Sequence, residues 1–351
     1  LTAVSDDAEE RFSDEDHGVP LDPGKPWARV VQCKHPGRRA DVWIAARFPR
    51  WSRTQAARFV RDGLIWSLDR PDLKPSALLR DGERLRVNVP GVAPDGPPPP
   101  TPAVLYEDSR LLVVNKPPGM LAHPVGERFA YAVVGLIRVA RPGALIDLVH
   151  RLDRDTSGTL ILSKDRAANI VLKKAIMEDH VRVVKEYLAI VHGHPTWTEH
   201  ESHEPLGKDP ASGVELRRSV RPDGDASRTA FRVVQRLAAH SLVACRLFTG
   251  RTHQIRVHLH ALGHPLLGDK LYGQPDDIFL EHLRQGPTAR VCAAVGFPRH
   301  ALHAWRITLP HPDDGAPRTV EAPLPEDMGQ IVAGAVPSWP PPTPDPGALP
   351  C

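Results

Sequence analysis

The sequence predicts an α+β protein with a mixed or antiparallel central sheet, preceded by a small basic α/β module. Three observations predict it. Beyond residue 103 the chain alternates short strand-like apolar runs with few long helices. Two of its segments carry the apolar spacing of amphipathic helices. A proline-rich run, GVAPDGPPPPTP at 91–102, cannot donate ladder hydrogen bonds and favours extended geometry, which marks it as a linker between two folded parts.

The elements follow in chain order. Residues 1–27 are acidic and poor in apolar residues, carrying Asp6, Asp7, Glu9, Glu10, Asp14, Glu15 and Asp16, the composition of a solvated, mobile tail. In the module at 28–90, Ser52 is a candidate N-cap, with Gln55 completing a capping box. Ala56, Phe59 and Val60 then form one apolar stripe. Arg53, Arg58 and Arg61 face solvent, and Gly63 can close the helix in left-handed geometry. A turn at Asp81-Gly82-Glu83 leads into an alternating strand through Leu85, Val87 and Val89. In the larger part, 103–325, candidate strands are 111–115, 159–163, 186–192, 228–236, 241–248 and 304–309. A helix over 166–179 places Ala168, Val171, Leu172, Ala175 and Ile176 on one face. A second, over 252–262, places Ile255, Leu259 and Leu262 together and stops at Gly263. Residues 326–351 read as a proline-rich tail.

Composition narrows the function classes. A chain of 351 residues with 41% hydrophobic and 25% charged residues can build a sizeable core, and it has the balance of a soluble protein. The formal charge is only +3, but it combines an acidic tail with a basic body, which suits an anionic partner. The four cysteines, Cys33, Cys245, Cys292 and Cys351, have no Cys-x-x-Cys spacing, which argues against a zinc ribbon or a redox pair. Neither a signal peptide nor an apolar run of membrane-spanning length is visible, so cytoplasm is the expected compartment. His253, His258, His260 and His264 lie close together, but Gly263 interrupts the His260–His264 pair, so no metal site is expected. Ser157 lacks the nucleophile-elbow pattern of a serine hydrolase.

The segment HRLDRDTSG at 150–158 carries the most chemistry. It is a polar turn between apolar runs, a common seat for catalytic groups. By charge alone it reads rather as a salt-bridged turn, with Asp153 and Asp155 paired to Arg151 and Arg154. The segment resembles the signature of RluA-type pseudouridine synthases. Other matches to that family follow in its order: LVVNKPPGM at 112–120, VKEYLA at 184–189, TGRTHQIRVH at 249–258, GHPLLGD at 263–269 and LHA at 302–304. Together they cover about residues 104–312. The module at 28–90 resembles the small RNA-binding domain shared by a small-subunit ribosomal protein and tyrosyl-tRNA synthetases. The matching pieces are Arg39-Ala40-Asp41, Ser52 to Gln55, Gly63 and Asp81-Gly82-Glu83. It departs from that pattern at Trp66-Ser67-Leu68-Asp69.

The resemblance implies an RNA pseudouridine synthase acting on structured RNA. The basic module favours ribosomal RNA ahead of transfer RNA, and a monomer is expected because RNA itself can supply a large interface. Uracil leaves the anomeric carbon, turns and rejoins through carbon 5. No electrons are gained or lost, so no cofactor is expected. Asp153 is implied as the catalytic carboxylate, acting either on the anomeric carbon or on a sugar proton. Arg256 is implied as its cationic partner, opposing the rise in pKa that burial would cause. Tyr187 is implied as the ring that stacks on uracil. The target base must be flipped out of its stack at a cost of a few kcal/mol. Arg151 and Arg154 are candidates to hold phosphates or fill the vacated space. His150, Thr156, Arg251 and His253 are further candidate RNA contacts, as are Arg53, Arg58 and Arg61 of the module. Lys164, Lys173 and Lys174 could extend a phosphate track. The rival reading is a non-catalytic RNA-binding or ribosome-associated protein that keeps the fold.

Overall fold

The computed structural model describes residues 29–33, 36–48, 51–87, 99–123, 132–141 and 144–334. The acidic segment 1–27, most of the proline-rich run and the chain beyond 334 lie outside the described residues. The chain forms two compact units. One holds the described residues within 7–101 and 123–146, the other those within 102–122 and 147–351. This differs from an uninterrupted domain over 103–325, because the residues around a short helix, Val133–Ala140, group with the first unit.

In the first unit, β1 (Arg29–Gln32), β2 (Ile65–Ser67) and β3 (Arg84–Val87) form an antiparallel sheet with β3 in the centre. Helices α1 (Ala40–Arg47) and α2 (Arg53–Arg61) accompany it. Trp43, Ile44, Trp51, Ala56, Val60, Ile65, Leu79 and Leu85 belong to one buried cluster. The expected capping box is present. Ser52 Oγ accepts from the Gln55 N–H at 3.2 Å, and Gln55 Oε1 accepts from the Ser52 N–H at 2.8 Å. The helix Val133–Ala140 is α3.

The second unit is built on a ten-stranded sheet. Its main path runs β4 (Ala103–Glu107), β5 (Leu111–Lys116), β7 (Ser157–Ser163), β14 (Leu302–Pro310), β8 (Val184–His192), β13 (His240–Leu247), β12 (Thr229–Arg236) and β9 (Glu199–Ser202). The short β6 (Asp147–Leu148) joins β7, and β15 (Pro317–Glu321) joins β14. Two further strands, β10 (Leu206–Lys208) and β11 (Arg218–Val220), pair separately. Every pairing of the large sheet is antiparallel except β7 with β14, so the sheet is mixed, one of the two arrangements the sequence leaves open.

Helix α4 (Arg166–Glu178) covers Leu111, Val113, Ile161 and Ile307 through Ala168 and Leu172, which are fully buried. Val171, expected on that face, is instead 47% exposed, because the buried stripe is narrower than the apolar one. Helices α5 (Gln254–Ala261), α6 (Asp276–Gln285) and α7 (Ala289–Val295) follow β13. The last described helix, α8 (Glu326–Val332), lies where the sequence suggested tail. Its Met328 and Ile331 are buried against Ile190, Leu267 and Phe297, so the apolar pair turns a proline-flanked stretch into part of the core.

Candidate active site

The loop 149–156 joins β6 to β7 and is held from below at many points. Gly158, two residues past it, has φ +112°, and a Cβ there would lie 2.1 Å from the Ala304 carbonyl oxygen. Only glycine lets β7 run beside β14 at this close approach, which fixes where the loop ends. The Thr156 N–H donates to the Asp153 carbonyl at 3.1 Å. Lys116 is fully buried, and its ammonium donates to three carbonyls: Pro117 at 2.9 Å, Met120 at 2.6 Å and Arg154 at 2.7 Å. Arg299, also buried, donates to the Asp155 carbonyl at 3.1 Å and pairs with Asp327 of α8 at 2.7 and 3.0 Å.

Two loop residues expected at the RNA face inward instead. Thr156 is buried and its hydroxyl bonds His300 Nε2 at 2.8 Å. The His150 Nε2 accepts the Ile161 N–H at 3.2 Å, which ties the start of the loop to β7. Burial lowers the His150 pKa to about 4, so the ring is neutral at pH 7. Both side chains use their polar groups to shape the loop, which leaves Asp153 at its surface with about a third of its side chain open.

Helix α5 brings the opposite charge. Arg256 is buried, and it donates through Nε and Nη2 to Asp269 at 2.8 and 2.9 Å and through Nη1 to Asp153 at 3.1 Å. Asp269 is itself buried and accepts the N–H groups of Leu271 and Tyr272 at 2.9 and 3.1 Å. The guanidinium is therefore clamped before it reaches Asp153. Burial pushes the Asp153 carboxyl up, but the neighbouring positive charges outweigh it and hold the group well below the usual carboxylate range. Of these neighbours, Arg256 is the cation at pH 7. Burial drives His253 down to about 3 and His300 to about 4, so both are neutral there. Asp153 is thus a solvent-reachable carboxylate kept ionised by one fixed guanidinium.

Two aromatic groups complete the surroundings. Tyr187, on β8, is buried, and burial followed by the charge of Asp153 raises its hydroxyl pKa, so it stays protonated. Lys185 precedes it by two residues and so faces the same side of the strand; it is also buried, and burial lowers its pKa to about 8. His253 occupies a left-handed backbone position, φ 57°, just before α5. Its Nε2 lies 3.9 Å from Asp153 Oδ2 and its Nδ1 lies 2.9 Å from the Tyr272 hydroxyl.

Asp153, Arg256, Tyr187 and His253, all named from sequence, therefore come together. Of the two ion pairs suggested within the loop, Arg154 with Asp155 forms at 3.1 Å, while Asp153 pairs across the fold with Arg256. Arg151 and Arg251 are exposed, and Arg251 donates to the Ala226 carbonyl at 3.1 Å. Lys164 turns to Glu107 at 3.0 Å and to the Asp108 carbonyl, so it is drawn away from any phosphate track. In the first unit, Arg53 and Arg58 are exposed and paired with Asp41 and Asp62, and Arg61 is exposed. Sequence reasoning missed Asp269, Tyr272, His300, Lys116 and Arg299 as site-shaping residues. The signal for Asp269 and Lys116 was present, since both fall within segments that matched the family.

The profile of a family described as RNA pseudouridylate synthase matches residues 110–261. The chain is 34% identical over 318 residues to ribosomal large subunit pseudouridine synthase D of Xanthomonas campestris, covering 87% of this chain and 91% of that one. It is 33% identical over 310 residues to the protein of the same name from Nitrosomonas europaea, covering 84% of each. It is 33% identical over 312 residues to ribosomal large subunit pseudouridine synthase C of Salmonella typhi, covering 85% of this chain and 93% of that one.

Proposed function

The chain belongs to the RNA pseudouridylate synthase family and is an RNA pseudouridine synthase, and we propose that it modifies uridines of large-subunit ribosomal RNA with Asp153 as the catalytic carboxylate. The observation that carries the assignment of Asp153 is its pairing with the clamped Arg256 at 3.1 Å. The reaction needs an anion beside the sugar, whether it attacks the anomeric carbon or removes a sugar proton. A carboxylate in a site that closes over a base would otherwise take up a proton. Arg256 opposes this, and because Asp269 fixes its plane, its third nitrogen meets Asp153 without reorganisation. Tyr187 is suited to wall the uracil, and protonated it can serve late proton transfer to or from the base. Arg151 and Arg154 flank the carboxylate on the loop, where they suit the phosphates of a flipped nucleotide.

Relatives that carry large-subunit names support ribosomal RNA as the substrate. The exposed Arg53, Arg58 and Arg61 on α2 support an RNA-binding role for the first unit. The test is tritium release from ribosomal and transfer RNA transcripts labelled at carbon 5 of uracil, with wild type and Asp153→Asn side by side. Bond formation at carbon 5 must expel the label. Release from ribosomal transcripts by wild type alone is expected. Equal release by Asp153→Asn would remove Asp153 from the chemistry, and release from transfer RNA alone would move the substrate.

A further inference from the structure

The three guanidinium nitrogens of Arg256 are committed to Asp269 and Asp153, so Arg256 offers little to an incoming base. The imidazole beside Asp153 has a different arrangement. Its Nδ1 meets the hydroxyl of Tyr272, a side chain only 1% exposed. That hydroxyl oxygen already accepts the N–H of Arg218 at 3.0 Å. The phenol has one proton to give, and Nδ1 is the partner in reach. The reverse tautomer would bring two donors to one oxygen and strand the phenolic proton in a dry place, which buried polar groups avoid. The Arg256 guanidinium carbon lies 4.9 Å from the centre of the Tyr272 ring, and a cation there strengthens the phenol as a donor. The ring of His253 is thereby fixed with its proton on Nε2, the nitrogen that faces Asp153.

We propose that His253 is a further catalytic residue, whose Nε2–H, set by the Tyr272 hydroxyl, donates a hydrogen bond to a carbonyl oxygen of the uracil while the glycosidic bond breaks. This rests on Asp153 being the catalytic carboxylate. When the bond between N1 and the anomeric carbon breaks, its electron pair leaves with the uracil and negative charge spreads onto the carbonyl oxygens. A donor fixed beforehand lowers the energy of that state more than of the bound uridine. Neutrality matters as much as position. An imidazolium 3.9 Å from Asp153 would pair with it and quench the anion the reaction needs, and burial together with the charge of Arg256 keeps the ring uncharged. The left-handed backbone at residue 253 fits the same reading, because strained geometry of this kind persists where the surroundings require it and concentrates at functional sites.

The test uses the full chain and carbon-5-labelled ribosomal transcripts, comparing His253→Gln, His253→Asn, Tyr272→Phe and the double variant Tyr272→Phe/His253→Gln, with Asp153→Asn in the same run. A glutamine amide can place an N–H near the Nε2 position, whereas an asparagine amide reaches only the Nδ1 position. His253→Gln is expected to keep kcat within about tenfold of wild type, and His253→Asn to lose about a hundredfold with KM little changed. Asparagine tolerates left-handed backbone better than glutamine, so a purely conformational role predicts the opposite order. Tyr272→Phe is expected to lower kcat about tenfold in the wild-type background and much less in the His253→Gln background, because the amide has no Nδ1 to fix. His253→Asn as active as His253→Gln, or an equal effect of Tyr272→Phe in both backgrounds, overturns the proposal. An active Asp153→Asn overturns the reading beneath it, and a different row of the same experiment reports that failure.

Discussion

Asp269 accepts two hydrogen bonds from Arg256, at 2.8 and 2.9 Å, and so decides which way the remaining guanidinium nitrogen points. The carboxylate of Asp269 therefore orients the cation that pairs with Asp153. Removing one member of a buried ion pair leaves the other uncompensated and costs about 3–5 kcal/mol. Asp269→Ala is expected to lower the unfolding free energy measured in urea by an amount in that range and to depress kcat as well. Arg256→Lys keeps a charge but loses the fork, so it should fold better than Asp269→Ala while still losing kcat. Urea titration and tritium release on both variants check this, and full activity in Asp269→Ala would count against it.

The acid side of the rate profile follows from Asp153. Its folded pKa is depressed, so the ionised form is present above the ordinary carboxyl value of 3.8 and is lost only as pH falls through the lower folded value. Wild-type kcat/KM should show no Asp153 limb above that ordinary value. In Arg256→Met burial loses its permanent opposing charge, and the limb should rise by about one pH unit. An acid limb in the same place for both proteins would mean that Arg256 does not set it.

Stability should weaken in mild acid for a separate reason. His300 and His303 are buried, and burial lowers both from 6.5 to about 4. The unfolded chain binds protons at these residues below about pH 6.5, while the folded chain does so only near 4, so stability is lost as pH falls across that window. The urea midpoint should fall between pH 6.5 and 4.5. His303→Gln should fall less steeply, and a midpoint that is constant down to pH 4.5 would show the rings to be protonated in the fold.

Arg299 joins α8 to the loop, pairing with Asp327 while donating to the Asp155 carbonyl. Asp327→Asn should therefore act at a distance, lowering kcat by about tenfold through a misplaced Asp153 while KM for RNA stays near wild type. Asp327→Glu should recover most of that loss. An equal loss in both variants, tracking a lowered melting temperature, would point to stability alone.

Much of the architecture was legible from sequence because period and punctuation agreed with burial. The strands at 111–116, 157–163, 184–192, 229–236, 240–247 and 302–310 all carry clear apolar runs. Several strands were not read from the sequence, Ala103–Glu107 and Pro317–Glu321 among them; Glu199–Ser202, Leu206–Lys208 and Arg218–Val220 are short and polar, and are held by their pairing partners rather than by an apolar pattern of their own. Helix α6 was not read from the sequence, although it carries boundary signals, with Pro275 before it, Asp276 and Asp277 in its first turn and Gly286 after it. In the site, Asp153, Tyr187 and Arg256 could be named from motifs. That Asp153 pairs with Arg256 and not with its neighbours on the loop agrees with the resemblance and not with local charge. The inward turn of His150 and Thr156 was not legible, since a polar side chain in a loop gives no sign of which way it faces until its partners, here Ile161 and His300, are in place.

The parallel pairing of β7 with β14 joins Ser157 to His303 and Gly158 to Ala304, and Asp327 lies further on still. On the ribosome these residues emerge in order, so the loop carrying Asp153 is made long before the strand and the ion pair that brace it. Long-range pairings of this kind form late. The loop that carries Asp153 thus leaves the ribosome unbraced, and its final geometry waits for Leu302–Pro310 and Asp327 to follow it.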